Sequence, residues 1–290
     1  VKEIEELKDD ELIEFFVRHG LEKTMRRIKE DISALGIHFD RFFYESDLLN
    51  SGKSLEVVEK LKEGGHTTDR EGALWFISND LDPNDRETVL VRSDADKTPT
   101  YFANDVAYHI DKFERGFEKI IDIWGPNHHA HIPRIKSALK VLGFDEKKVS
   151  IFLYQNVKLK TGGQVKQMGK RLGNFINISD LVGKLKVSPD VYKFAIINQN
   201  PNSIIEFDLD LALEQSEKNP VFYLQYAYAR ICSVLRKADA SLLTEVEKIA
   251  RGEQAIDQQD LEILTDKREK KLIKTISGLP EELKIVSSEF

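Results

Sequence analysis

One stretch, residues 119–157, constrains the fold more than any other. KIIDIWG reads as a buried strand, PRIKSALKVLG as a helix and VSIFLYQNV as a second buried strand. Pro133 suits a first helical turn, where its missing N–H costs nothing, and Gly143 suits the stop, where the chain must leave the helix. A helix between two strands carries the chain back to the start of the first, so the strands are predicted to be parallel neighbours in a βαβ unit. Open parallel sheets bind ligands beyond the carboxyl ends of their strands. That rule points to the loop GPNHHAH, residues 125–131.

Around this unit the pattern changes twice. Leu12, Phe15, Phe16, Met25, Ile28, Ile32 and Leu35 recur at helical spacing, and the spacing predicts two helices, broken near Gly20 and ending by Gly36. HTTDREGALWFIS, with a turn signal from Asp69 to Gly72, and ETVLVRS predict a β-hairpin or small sheet over about residues 64–93. After about Ser203 no strand pattern recurs, and the remainder reads as all-α. A chain of 290 residues, 41% of them hydrophobic, can bury a core in roughly two domains.

Composition excludes some functions. The single cysteine, Cys232, rules out an internal disulfide framework or an all-cysteine metal cluster, and fits a reducing, cytoplasmic setting. No apolar run approaches the ~20 residues that span a bilayer, so no membrane partner is expected. The chain opens at Val1 directly into the charged amphipathic run KEIEELKDDELIEFF, as if cut from something longer. A net charge of -7 argues against a general nucleic-acid binder. Residues 158–186 nonetheless carry seven basic side chains against one acid, Asp180, and that local excess of six admits an anion site.

Three groups of residues could carry chemistry. His128, His129 and His131 suggest a metal, but neighbours at 128 and 129 cannot easily converge on one ion, and the loop has no Cys or acid to complete a set. No bound metal is expected; polar contacts to a ligand, or a plain surface turn, account for them better. On a helix from about Thr100, Tyr101, Asp105 and His109 share a face at i, i+4 and i+8. A carboxylate beside a phenol can hold a guanidinium or ammonium group. Pairing of Asp105 with Lys112 on a solvated surface is the alternative. Finally, GGQVKQMGKRLGNF (residues 162–175) combines four glycines with Lys166, Lys170 and Arg171. Its backbone N–H groups and lysines could cradle phosphate, although the order is not that of a P-loop, and a basic turn without a ligand fits the composition equally well.

Taken together, these residues resemble a known family. MGKRLGNF resembles the Met-Ser-Lys-Arg-x-Gly-Asn-Phe end of the mobile Lys-Met-Ser-Lys loop of class I aminoacyl-tRNA synthetases. WGPNHHAHIPRIKSAL resembles the motif W-G-A-D-H-H-G-Y-I-P-R-L-K-A-A-L of arginyl-tRNA synthetases, and LVRSD with TPTYFANDVAYHIDKFERGF resembles the stretch upstream of it. EFDLDLALEQSEKNPVFYLQYAYARICSVLRKA is similar to the entry into that family's helical anticodon-binding domain.

The resemblance implies an α/β fold: part of a class I catalytic core with a Rossmann-type parallel sheet, followed by an all-α anticodon-binding domain. Residues 1–165 would form the second half of the core with the hairpin insertion, 166–205 the signature loop and connection, and 206–290 an incomplete anticodon-binding domain. It implies ATP-dependent activation of arginine, with Mg2+ accompanying the ATP, and transfer to tRNA by an enzyme expected to be monomeric. Tyr101, Asp105 and His128 fall at arginine-binding positions, and Gly125, Asn127, His128, Met168 and Lys170 at ATP-binding positions. Lys170 and Lys166 fall at the catalytic positions of the loop. The sequence departs from the pattern at Asn127, where aspartate is expected, at Ala130 for glycine, at Gln167 for the first lysine and at Gly169 for serine. The class's other signature, of His-x-Gly-His type, does not occur; GGH at 64–66 and NHHAH at 127–131 lie in the wrong contexts. The expected alternatives are therefore a fragment of a ligase, inactive alone, and a non-catalytic tRNA-binding or regulatory relative; a metal-dependent hydrolase built on the histidines is more remote.

Overall fold

The computed structural model describes residues 8–79, 88–93, 97–166 and 176–288, and the chain divides into two compact units, Val1–Gln215 and Ser216–Phe290. The first unit opens with α1 (Asp9–Ala34), a single helix of 26 residues that runs straight through Gly20. The expected break does not occur. A lone glycine in a helix costs about 1 kcal/mol relative to alanine, which weakens a long helix without ending it. The true stop is at Gly36, whose φ of 69° continues no right-handed helix.

Two helices follow, α2 (Glu45–Asn50) and α3 (Lys53–Glu63), then a three-stranded antiparallel sheet of β1 (Thr67–Arg70), β2 (Ala73–Phe76) and β3 (Thr88–Val91). Glu71 and Gly72, both with positive φ, make the two-residue turn between β1 and β2, as the turn signal predicts. Helix α4 (Tyr101–Glu114) starts where its sequence suggests and packs on α3. Phe102, Val106 and Ile110 on α4, Leu61 on α3, Phe76 and Leu90 from the sheet, and Ile135 and Leu139 farther along belong to one buried cluster.

The predicted βαβ unit is present. β4 (Ile120–Trp124) pairs in parallel with β5 (Val149–Leu153), and α5 (Ile132–Val141) crosses between them. The end of α5 follows the glycine logic in detail: Gly143, at φ 85°, donates its N–H to Lys140 O, and Phe144 donates to Leu139 O. Three details differ from expectation. β4 is buried on one face only, since Ile121 and Ile123 are exposed while Ile120 and Asp122 face inward. GPNHHAH is not an open loop, for Pro126–His131 forms a 3-10 turn leading into α5. VSIFLYQNV is not one strand throughout, because after Tyr154 N–H reaches Trp124 O the chain leaves β4, and its last residue opens β6 (Val157–Thr161), which finds another partner.

That partner is β8 (Ile205–Asp208), parallel to β6, beyond the point where strand patterns were expected to stop. Its signal is a four-residue alternation, Ile205 and Phe207 buried, Glu206 exposed, too short to stand out against the helical pattern that follows. β7 (Gln164–Lys166) pairs antiparallel on the other side of β6. α6 (Pro189–Ile197) and α7 (Leu209–Leu213) flank this sheet, and Leu159, Leu181, Val187, Phe207 and Leu209 form a second buried cluster beneath it.

The second unit is helical: α8 (Pro220–Leu235), α9 (Ala240–Ala250), α10 (Gln258–Ile263) and α11 (Lys267–Ser288). Asn219 caps α8 by accepting from the N–H groups of Val221 and Phe222. Among its described hydrophobic residues only Val221 is buried, whereas Tyr223, Tyr226, Tyr228 and Ile231 are exposed.

Candidate active site

The carboxyl end of β4 gathers the histidines and the polar face of α4. Tyr101 and Asp105 lie one turn apart on α4; Tyr101 is 60% exposed, and the Asp105 side chain is 44% exposed. The alternative, a pairing of Asp105 with Lys112, is not what the molecule uses. Asp105 Oδ2 accepts from His131 Nε2 at 2.9 Å, and Lys112 is spent on Asp122 at 2.6 Å. Asp105 Oδ1 and the Tyr101 hydroxyl have no partner among the described residues. One anchored and one available carboxylate oxygen, beside an open phenol, is an arrangement suited to an incoming cation.

His109, the third member of the predicted face, is buried and takes a structural part. Its Nδ1 donates to Asp105 O at 2.7 Å, and its Nε2 lies 2.6 Å from Asp122 Oδ2. Asp122, in the middle of β4, thus sits between His109 and Lys112. Burial pushes its carboxyl up, but the hydrogen bonds and charges of His109 and Lys112 outweigh that and hold it below the ordinary carboxylate value. Asp122 escaped the sequence reading. An aspartate inside IIDIW was itself a signal, since a buried carboxylate needs cationic partners, and His109 and Lys112, three residues apart on a helix, could supply them.

The three loop histidines differ in their surroundings, though the rings of His128 and His131 meet edge-on with centroids 6.3 Å apart. His131 is buried, His128 packs edge-on against Trp124 with ring centroids 6.1 Å apart, and His129 is exposed. Among the described residues no three His, Cys, Asp or Glu side chains are grouped to hold a metal ion. Gly125 and Asn127 are exposed beside His128, whose N–H donates to Gly125 O.

The glycine-rich segment reads differently in three dimensions. Gly162 and Gly163, with φ of 59° and 74°, form the two-residue turn of the β6–β7 hairpin. The Gly162 N–H is already taken: it donates to Asp210 Oδ2 at 2.6 Å. Lys160 pairs with Asp208 at 3.0 Å and Lys184 with Asp180 at 2.7 Å. β8 and α7 therefore bring acids against part of the basic run, and the Gly162 amide is not open to phosphate. Lys166 is exposed at the end of β7, while Gln167, Met168, Gly169 and Lys170 lie outside the described residues.

Comparison with known proteins places this architecture. Residues 224–290 match the family described as DALR anticodon binding domain. The class to which the α/β unit and the helical domain together are similar is that of the aminoacyl-tRNA synthetases. The relatives the chain matches are arginyl-tRNA synthetases, to which it is similar over nearly all its length. It is 40% identical over 274 residues to the arginine–tRNA ligase of Desulfitobacterium hafniense, covering 94% of this chain and 47% of the relative. It is 42% identical over 272 residues to that of Caldanaerobacter subterraneus subsp. tengcongensis, covering 93% and 46%. A Campylobacter jejuni crystal structure, provisionally assigned as an arginyl-tRNA synthetase, superposes with a TM-score of 0.65 at 34% identity, over 74% of this chain and 46% of that one. The Thermus thermophilus arginyl-tRNA synthetase shares the fold, with a TM-score of 0.64 at 21% identity, over 79% and 48%. The chain spans about half the length of the curated relatives it matches.

Proposed function

We propose that this chain is part of an arginine–tRNA ligase, an enzyme that activates arginine with ATP and transfers it to tRNA. The parallel strand pairs would belong to the second half of a class I, Rossmann-type core, and the helical unit would meet the anticodon. One observation carries the reading: at the carboxyl end of β4, Asp105 holds one oxygen on His131 and leaves the other unpartnered among the described residues, with the exposed Tyr101 phenol one turn away. A guanidinium is the cation whose planar N–H fork matches that acceptor.

In this reading Tyr101, Asp105 and His128 bind arginine, and Gly125, Asn127 and His128 border the ATP, which brings Mg2+ with it. Met168 would lie near the adenine and Lys170 on the phosphates, with Lys166 secondary; electrostatic stabilisation of a transferring phosphoryl group is the work a lysine does there. The protein is taken to act as a cytoplasmic monomer. The test is calorimetric titration of the 290-residue chain with L-arginine and with L-citrulline, which keeps the shape of arginine and lacks its charge. Arginine should bind and citrulline should bind at least about tenfold more weakly, the loss of a hydrogen bond between charged groups. Equal affinities would remove the carboxylate from the recognition site.

A further inference from the structure

The structure singles out His131, the partner of Asp105, to which the functional reading assigns no role of its own. It is 5% exposed, at the junction of the 3-10 turn and α5, and its ring is enclosed by Tyr101, Phe102 and Trp124, with centroids 5.4, 5.4 and 5.6 Å away. A carboxylate only accepts, so the 2.9 Å contact from His131 Nε2 to Asp105 Oδ2 requires a proton on Nε2. The enclosed ring therefore presents a donor in a fixed direction to a side chain that is otherwise half-exposed.

Asp105 is held at its other end as well. Its main-chain carbonyl accepts from His109 Nδ1, and His109 is anchored to Asp122 on β4. Two buried histidines thus fix both the backbone and the carboxylate of one exposed acid. Neither His109 nor Asp122 reaches the open surface, so the unpartnered acceptor this arrangement offers outward is Asp105 Oδ1.

We propose that His131 is a positioning residue for arginine: by fixing Asp105 through Oδ2, it sets the direction in which Oδ1 meets the guanidinium, and so contributes to the preference for that side chain. An unanchored carboxylate would spread over several rotamers, and each arginine bound would have to restrict it. This inference rests on the proposed role of Asp105.

The experiment titrates L-arginine and ATP separately into the unaltered 290-residue chain and into His131→Phe, His131→Gln and Asp105→Asn, with melting temperatures measured alongside. Phenylalanine keeps the aromatic packing against Tyr101, Phe102 and Trp124 and removes the donor, whereas the glutamine amide can donate from near the position of Nε2. His131→Phe should weaken arginine roughly tenfold and leave ATP unchanged, and His131→Gln should stay within about threefold of the unaltered chain. If His131→Phe binds arginine normally while Asp105→Asn does not, His131 only packs, and the inference is overturned with the arginine site intact. It is overturned equally if glutamine is as damaging as phenylalanine. If the unaltered chain does not bind arginine, the arginine site itself falls, and this inference with it.

Discussion

Asp122 and Asp105 show how differently two carboxylates of one neighbourhood can be employed. Asp122 is 7% exposed and neutralised from two sides, so Asp122→Asn would leave Lys112 and His109 facing an uncharged partner inside the protein. Removing one member of a buried ion pair costs about 3–5 kcal/mol, which a shift in the urea midpoint would report. The pH dependence follows from the depressed carboxyl. Its stabilising contribution is complete above the unfolded value of about 4 and is lost as the pH falls through the lower, folded value. The urea midpoint of the unaltered chain should therefore lose this contribution only below about pH 4. An Asp122-dependent loss between pH 7 and 5 would contradict the assignment. Asp105, by contrast, is half-exposed and half-used, so Asp105→Asn should cost little stability and weaken arginine roughly ten- to hundredfold, with ATP binding unchanged. The sequence exposed Tyr101 and Asp105 through helical spacing, because periodicity reports which side chains share a face. It could not report that His131, 26 positions away, would turn onto Asp105, because that contact depends on how β4, the 3-10 turn and α4 meet in space.

Among the elements, those with a long or repeated pattern were legible and the short ones were not. The βαβ unit, the antiparallel hairpin and α4 follow from runs in which pattern, caps and turn residues agree. β8 has four residues and only two inward positions, and it exists because β6 offers it a parallel edge. That is a tertiary fact. Its consequence reaches the basic segment, since β8 carries Asp208 and leads to Asp210, and these two acids occupy Lys160 and the Gly162 amide. Local charge counts the lysines and misses the acids that fold against them. Helix α1 offers the opposite lesson, for Gly20 looked like punctuation and is not. Nothing lies within 4 Å of where a Cβ would stand at Gly20, and the residue is exposed within a continuous helix. Gly20→Ala should raise stability by about 0.5–1 kcal/mol, visible as a higher melting temperature. A decrease would mean that the helix is not continuous there.

At the scale of the whole molecule, the chain spans about half the length of the Desulfitobacterium and Caldanaerobacter relatives, and its own sequence contains no His-x-Gly-His signature. Stabilisation of transition-state charge from one side alone is worth several kcal/mol less than from both, by analogy with the loss of an oxyanion donor at about 3–4 kcal/mol. The 290-residue chain should therefore show no arginine-dependent pyrophosphate exchange by itself, even where it binds arginine. The altered loop, with Gln167 and Gly169, asks a separate question, because in the proposed reading its residues would act on turnover and not on arginine binding. Lys170→Ala in an active context should slow adenylate formation while the arginine requirement stays unchanged. Both expectations meet in one measurement: a chimaera in which residues 1–290 replace the matched segment of the Desulfitobacterium hafniense ligase, assayed for arginine-dependent pyrophosphate exchange and for charging of tRNA. A working ligase segment yields both activities, and Asp105→Asn in the chimaera raises the arginine requirement alone. A folded chimaera that binds tRNA but exchanges no pyrophosphate at saturating arginine and ATP would contradict the account, and would identify the segment as that of a non-catalytic relative.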